Sequence, residues 1–280
     1  MSRGEPVEWL APSSLEEALA LRAERGDDST VVAGGSFLGI LMNQGFLQPT
    51  SLLSLQRVGE LRGIGVEDGE LSLGAMTTHR HVERSDTVRR ECAVLARAFG
   101  LVASPRVRNQ ATVGGVLADA DYASDPPAIL AALDARAVLR SPRGAREVRV
   151  AELVVGFYET CIGGDELLTE VRVPVRPDRA VYRKFRSRSA EDRPCVAVAA
   201  VRTAGALRVV VGACADTPQH YPDVCALAEG AAMDSALARE IGARYAERIQ
   251  PIADSRGSAE YRRRVVAVEV RRAVEEVSGQ

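Results

Sequence analysis

Apolar positions along this chain switch between a helical and an alternating period, and the switches mark out its elements. Val7–Leu10 is a short extended run broken by Pro12, and Ser13-Ser14-Leu15-Glu16-Glu17 is a capping box that predicts an amphipathic helix through Arg25. Gly26-Asp27-Asp28 stops it, and Ser29–Val32 returns as a strand. That strand breaks on Gly34-Gly35, after which Leu38–Met42 reads as a helix with Ser36 as its expected N-cap. Pro49 and Ser51–Leu55 predict another strand, and Val58–Leu61 a helical turn.

Past residue 60 the texture changes. Ile64–Val66, a turn at Glu67-Asp68-Gly69 and Glu70–Ala75 give a hairpin signal. Thr77 or Thr78 caps a helix to Arg84, and Val88–Val102 carries Cys92, Leu95, Ala96 and Phe99 at near-helical spacing, so one helix is expected before Pro105. Pro126-Pro127 opens a helix over 128–133, and Ala137–Arg140, Arg146–Val150 and Glu166–Val173 read as strands. Val173–Asp178 has the texture of a linker. Two apolar strands, Cys195–Val201 and Leu207–Ala213, follow Tyr182–Phe185, and helices run from Met233 onward. The arginine-rich last helix, Ala259–Val277, is expected to be a solvated face. This order predicts an α+β protein in three units: residues 1–60, 61–175 and 176–280.

Composition narrows the function. A 280-residue chain with 46% hydrophobic and 26% charged residues is of ordinary globular type, and its net charge of −2, with both signs interspersed, offers no footprint for nucleic acid. No apolar run is long enough for a membrane span and the N-terminus lacks a leader, which predicts a cytoplasmic protein. Cys92, Cys161, Cys195, Cys214 and Cys225 stand singly, a spacing that argues against an iron–sulfur cluster, a zinc site or a disulfide framework in this chain. His79 and His81 form an isolated H-x-H without converging carboxylates, so no metal site is expected. Of 36 basic residues only Lys184 is lysine, which points to a need for a compact ammonium at that position.

The candidate chemistry lies in the glycine pairs. Val31–Met42 runs from strand through Gly34-Gly35 and Ser36 into a helix, a geometry in which glycine amides turn toward an anion. A second copy follows at Thr112-Val113-Gly114-Gly115-Val116, and two such turns are expected to grip one diphosphate from opposite sides. The Rossmann fingerprint G-x-G-x-x-G is missing from the first turn.

On these residues the chain resembles the flavin-binding medium subunits of the molybdenum hydroxylases, the group of carbon monoxide and xanthine dehydrogenases. Carrying the resemblance are Ala33–Leu38, Leu71–Thr78, Arg108–Gly115, Asp121–Pro127, Asp165–Leu168, Val171–Pro174 and Ile252–Arg263. It implies a two-subdomain FAD-binding fold of the vanillyl-alcohol-oxidase (PCMH-like) type, completed by a small C-terminal α+β domain. Val32, Ala33, Gly34, Gly35, Ser36, Phe37 and Leu38 would then form the first diphosphate loop, and Thr112, Val113, Gly114, Gly115 and Val116 the second. Asp125 would help hold FAD, Leu168 pack on it, and Lys184 reach the flavin and stabilise its anionic reduced form. Phe37 stands where such proteins usually carry Asp or Glu, and Val116 where they carry Asn, so two side-chain hydrogen bonds of the pattern are missing.

The same resemblance implies a large molybdopterin-binding subunit and a small subunit with [2Fe-2S] clusters as partners, in a dimer of heterotrimers. FAD would pass electrons from those clusters to an external acceptor, with no protein residue acting as a catalytic acid or base. A stand-alone flavin oxidase, and a binding protein that kept the fold without the cofactor, remain as alternatives.

Overall fold

The computed structural model describes residues 7–174, 177–189 and 191–279, so part of the expected linker, residues 175 and 176, lies outside them. Among the described residues, three larger sheets and one two-stranded hairpin follow along the chain. The first is small and parallel, in the order β1 (Glu8–Leu10), β3 (Ser51–Ser54), β2 (Thr30–Val32). Its connections are helix α1 (Leu15–Arg25), capped by the Ser14 side chain as the capping box requires, and helix α2 (Leu38–Asn43). Leu53 and Ala18 are fully buried between them.

The second sheet has the order β4 (Ile64–Glu67), β5 (Glu70–Gly74), β10 (Leu167–Pro174), β6 (Arg136–Ser141), β7 (Gly144–Arg149), all antiparallel. A separate two-stranded hairpin, β8 (Val154–Gly156) and β9 (Glu159–Thr160), follows the short helix α9 (Val150–Leu153). Between β5 and β6 lie α3 (His79–Arg84), α4 (Asp86–Glu91), α5 (Ala93–Gly100), α6 (Pro105–Arg108), α7 (Val113–Ala118) and α8 (Pro126–Ala132). The stretch expected as one helix is two, because Cys92 takes φ −153°, ψ 72° and its amide closes α4 on Val88 O. The break lets Cys92, Leu95 and Phe99 all reach the same core.

The third sheet is β11 (Arg179–Phe185), β12 (Val196–Thr203), β13 (Ala206–Gly212), β14 (Gln219–His220), antiparallel throughout. The unbroken apolar run of β12 reflects burial on both faces. Val196, Val198 and Ala200 meet the helices α10 (Pro222–Cys225), α11 (Ser235–Arg248) and α12 (Ala259–Ser278), whereas Ala197, Ala199 and Val201 join the core that holds α8. Approach here is close: a Cβ on Gly212 would lie 2.8 Å from that of Ala128. The C-terminal sheet is thereby packed against the helix that ends the second glycine region. Helix α12 is not a purely solvated face, since Arg262 is 0% exposed, donating to Ile252 O at 2.9 Å and pairing with Asp254 at 2.6 Å. Among the described residues no helix is long and apolar enough to cross a membrane.

Candidate functional site

Strand β2 ends at Val32 and delivers the first glycine pair into a cleft of about 440 Å3. Gly35 has φ +68°, a left-handed backbone that glycine adopts without penalty. Gly34 serves a different need: a Cβ there would fall 1.9 Å from Gln110 O and 2.6 Å from its carbonyl carbon. Only a residue without a side chain lets this loop lie against the backbone that leads into the second glycine region. Among the described residues, the N–H groups of Gly34, Gly35, Ser36 and Phe37 have no protein acceptor. Ser36 does not cap α2; the N-cap position falls on Phe37, whose side chain makes no cap bond, because the chain turns through Ser36-Phe37 before the helix begins.

The second glycine pair behaves otherwise. Thr112 caps α7, and Gly114 and Gly115 lie inside its first turn instead of forming a loop. Their amides are already taken: Val113 N–H donates to Thr77 O at 3.0 Å, Gly114 N–H to Ala75 O at 2.8 Å, and Gly115 N–H to Thr112 Oγ1 at 3.1 Å. The expectation that both pairs aim amides at one diphosphate is therefore corrected. A Cβ on Gly114 would sit 2.7 Å from that of Ala75, and one on Gly115 would sit 2.9 Å from the capping Thr112 Oγ1, so both glycines serve close packing. The first pair supplies free donors; the second makes the floor that the first lies on.

Ranged by place, Val32–Leu38 all line the cleft, as do Thr112, Gly114, Gly115, Val116, Asp125, Leu168 and Lys184. Val113 does not; it is 0% exposed, within the core beside Leu117. Phe37, at the position lacking the expected acid, stacks on Tyr158 with ring centroids 5.9 Å apart, and the Arg193 guanidinium covers its ring at 5.4 Å. Tyr158 also meets Tyr122, and Arg193 pairs with Asp121, so Phe37 and Arg193 at the cleft are backed by an aromatic cluster and an acid. Sequence reading missed Arg193 and Asp119, which also line the cleft. No period or spacing marks either; the acidic run 118–125 was the only available signal. Burial, with Asp121 nearby, pushes the Asp119 carboxyl up to about 7.

Lys184 and Asp125 form one unit. The ammonium, 1% exposed, donates to Asp125 Oδ2 at 2.9 Å and to Leu101 O at 2.8 Å, and Tyr182 Oη donates to Asp125 Oδ1 at 2.7 Å. Burial raises the Asp125 carboxyl above its usual range, opposed by Lys184 and the Tyr182 hydroxyl. The lone lysine thus has an acidic partner within the protein, so its charge is balanced and does not face the cleft alone.

His79 lines the cleft from beneath and is 1% exposed. Its Nε2 lies 3.1 Å from Thr112 O, and its ring meets Phe99 edge-on at 4.9 Å. Burial, opposed by the bond to Thr112 O and aided by Arg108, pushes it down to about 4, so at neutral pH it is a neutral ring donating from Nε2. The sign follows: between pH 6.5 and 4 the unfolded chain binds the proton that the folded one refuses, so stability rises with pH across that window. From pH 7 to pH 5 the wild-type protein is expected to lose about 2 kcal/mol more than His79→Asn, read as the difference between their urea midpoints at the two pH values. Equal losses would contradict a buried neutral His79.

The fit to FAD rests on this geometry. Unpaired amides on a left-handed glycine loop suit a diphosphate, and the apolar walls at Leu38, Val116 and Leu168 suit a flat ring. Comparison with known proteins agrees. A model of the FAD binding domain in molybdopterin dehydrogenase matches residues 5–176, and one of the CO dehydrogenase flavoprotein C-terminal domain matches residues 180–277. The chain is 34% identical to the carbon monoxide dehydrogenase medium chain of Afipia carboxidovorans, covering 96% of this chain and 95% of that one. Nicotine 6-hydroxylase medium subunit of Paenarthrobacter nicotinovorans is 30% identical, with 96% of each covered. The structure of reconstituted CO dehydrogenase from Oligotropha carboxidovorans superposes with a TM-score of 0.93 at 31% identity, covering 98% of both chains. With both domain models matched in order and a 34% identical relative covered almost end to end, this chain belongs to the FAD-binding medium-subunit family of the molybdenum hydroxylases.

Proposed function

We propose that this chain is the electron-transfer subunit of a molybdenum hydroxylase complex, built as a dimer of heterotrimers. A large molybdopterin-binding partner oxidises the substrate, and the [2Fe-2S] clusters of a small partner carry the electrons to FAD held here. The observation that carries this reading is the row of unpaired amides from Gly34 to Phe37, facing a cleft whose far wall holds the Lys184–Asp125 pair.

When bound, FAD supplies a carrier that takes up two electrons and returns them to an external acceptor. The chain's own residues hold and shield it. The amides of Gly34, Gly35 and Ser36 bind the diphosphate, Thr112 fixes the floor, and Leu38 and Leu168 exclude water from the ring. Asp125 holds the Lys184 ammonium at the cleft wall with its charge compensated, where it would stabilise the reduced flavin electrostatically. Arg193 and Phe37 close the rim.

Purified protein is expected to be yellow, with bands at the usual flavin wavelengths that bleach with dithionite. A colourless preparation that takes up no added FAD defeats the reading. Co-purification from the native source should bring down two further chains carrying molybdenum and iron, and isolation of a homomeric flavoprotein would defeat the assignment of partners.

A further inference from the structure

Arg108, the last residue of α6, is 8% exposed and borders the cleft without lining it. Its Nη1 donates to Val102 O at 2.7 Å and to Ala103 O at 2.8 Å, and its Nε to Glu83 Oε2 at 3.0 Å. Glu83 is held from its other side by Arg80 at 2.8 Å. The preceding carbonyl, Leu101 O, accepts from Lys184. Three successive carbonyls are thus committed to two cations.

The turn these carbonyls belong to is strained and placed at the cofactor cleft. Ala103 has φ +39°, a left-handed backbone that a residue with a Cβ adopts only at a cost. Val102 and Ala103 both line the cleft. A guanidinium grips two carbonyls and a carboxylate at once from a rigid frame; an ammonium in the same place does not reach all three.

We infer that Arg108 is a positioning residue for the cofactor: it holds the 101–103 turn in its left-handed form and, through Leu101 O, sets where the Lys184–Asp125 pair meets the flavin. This rests on the FAD reading above. The network is continuous, from Arg80 and Glu83 on α3 through Arg108 and the turn to Lys184 on β11 and Asp125 before α8. Arg108 therefore ties the wall of the cleft made by the second unit to the wall made by the third.

The test titrates FAD into the apo form of the full chain, following flavin fluorescence and visible absorption, with the thermal midpoint as a control for folding. Wild type binding no FAD overturns both this inference and the reading beneath it. With wild type binding, Arg108→Lys is expected to bind FAD roughly tenfold more weakly, with a shifted absorption band and a midpoint within a few degrees of wild type. Adding Ala103→Gly, which takes the left-handed backbone freely, is expected to restore most of that affinity. Should Arg108→Lys fold poorly, Glu83→Gln, which releases the guanidinium from its other side, carries the same expectation at smaller amplitude. Wild-type affinity and spectrum in Arg108→Lys or, failing that, in Glu83→Gln overturns the inference alone, as does a loss that Ala103→Gly leaves untouched.

Discussion

Gly34→Ala is expected to cost the protein most of its FAD. The new Cβ overlaps Gln110 O, its carbonyl carbon and the Ala111 nitrogen, all backbone atoms that no rotamer change moves aside. Either the first glycine loop lifts away from the floor made by residues 110–115 or the floor itself shifts. Both displace the amides of Gly34, Gly35 and Ser36. Losing two hydrogen bonds to a charged diphosphate, at about 1.5–3 kcal/mol each, weakens binding on the order of a hundredfold to ten-thousandfold. Overpacking adds about 1–3 kcal/mol of destabilisation to the apo protein. Gly35→Ala is the informative partner: its Cβ meets nothing nearer than Val32 at 3.8 Å, so its cost is confined to the φ +68° backbone, about 1–2 kcal/mol. Flavin content on purification and the FAD dissociation constant should rank wild type above Gly35→Ala above Gly34→Ala. A Gly34→Ala protein that binds as wild type would show that contact between the two glycine regions is dispensable.

Lys184→Met is expected to give the largest loss of stability. It strands the Asp125 carboxylate, 4% exposed, with the Tyr182 hydroxyl as its hydrogen-bond partner and the Arg186 charge farther off. Breaking one side of a buried pair costs about 3–5 kcal/mol, and for a chain of this size that lowers the thermal midpoint by roughly 10 °C. Asp125 in the variant escapes by taking a proton, so its folded pKa lies above the unfolded value and the variant's stability falls as pH rises. The gap between wild type and variant should widen from pH 5 to pH 8. Removing both charges, as Lys184→Met with Asp125→Leu, should recover much of the loss; a double variant no more stable than Lys184→Met would mean that the pair is not the source of the effect.

How far the chain was legible depended on the range of the interaction. The Ser14 cap, the hairpin at Glu67–Gly69 and the two apolar strands of the third sheet rest on neighbours a few residues apart, and they stand where the pattern put them. The first glycine loop was readable for the same reason. The second pair carries an identical local signature and does another job, because the acceptor of the Gly114 amide is Ala75 O, in a turn after a different strand. A tandem of glycines announces freedom for the backbone; it does not announce whether a ligand or a neighbouring chain segment uses it.

Charge followed the same rule. The singularity of Lys184 was visible by inspection, yet its counter-ion comes from 59 positions upstream and its carbonyl partner from 83. Arg262, one of a run that reads as solvated, is buried because Asp254 and Ile252 O fold over it. Arg193 and Asp119 at the cleft belong to no motif, and Arg193 reaches it only because the third unit meets the second, where it pairs with Asp121.

Period and local capping, which act within a few residues, settled by themselves the α+β order of elements, the glycine loop after the second strand, and the two apolar strands of the third sheet. Which glycine pair keeps its amides free, what neutralises the lysine, and how the walls of the cleft are held were decided by tertiary packing, since each depends on an acceptor or counter-charge that the chain brings close only by folding.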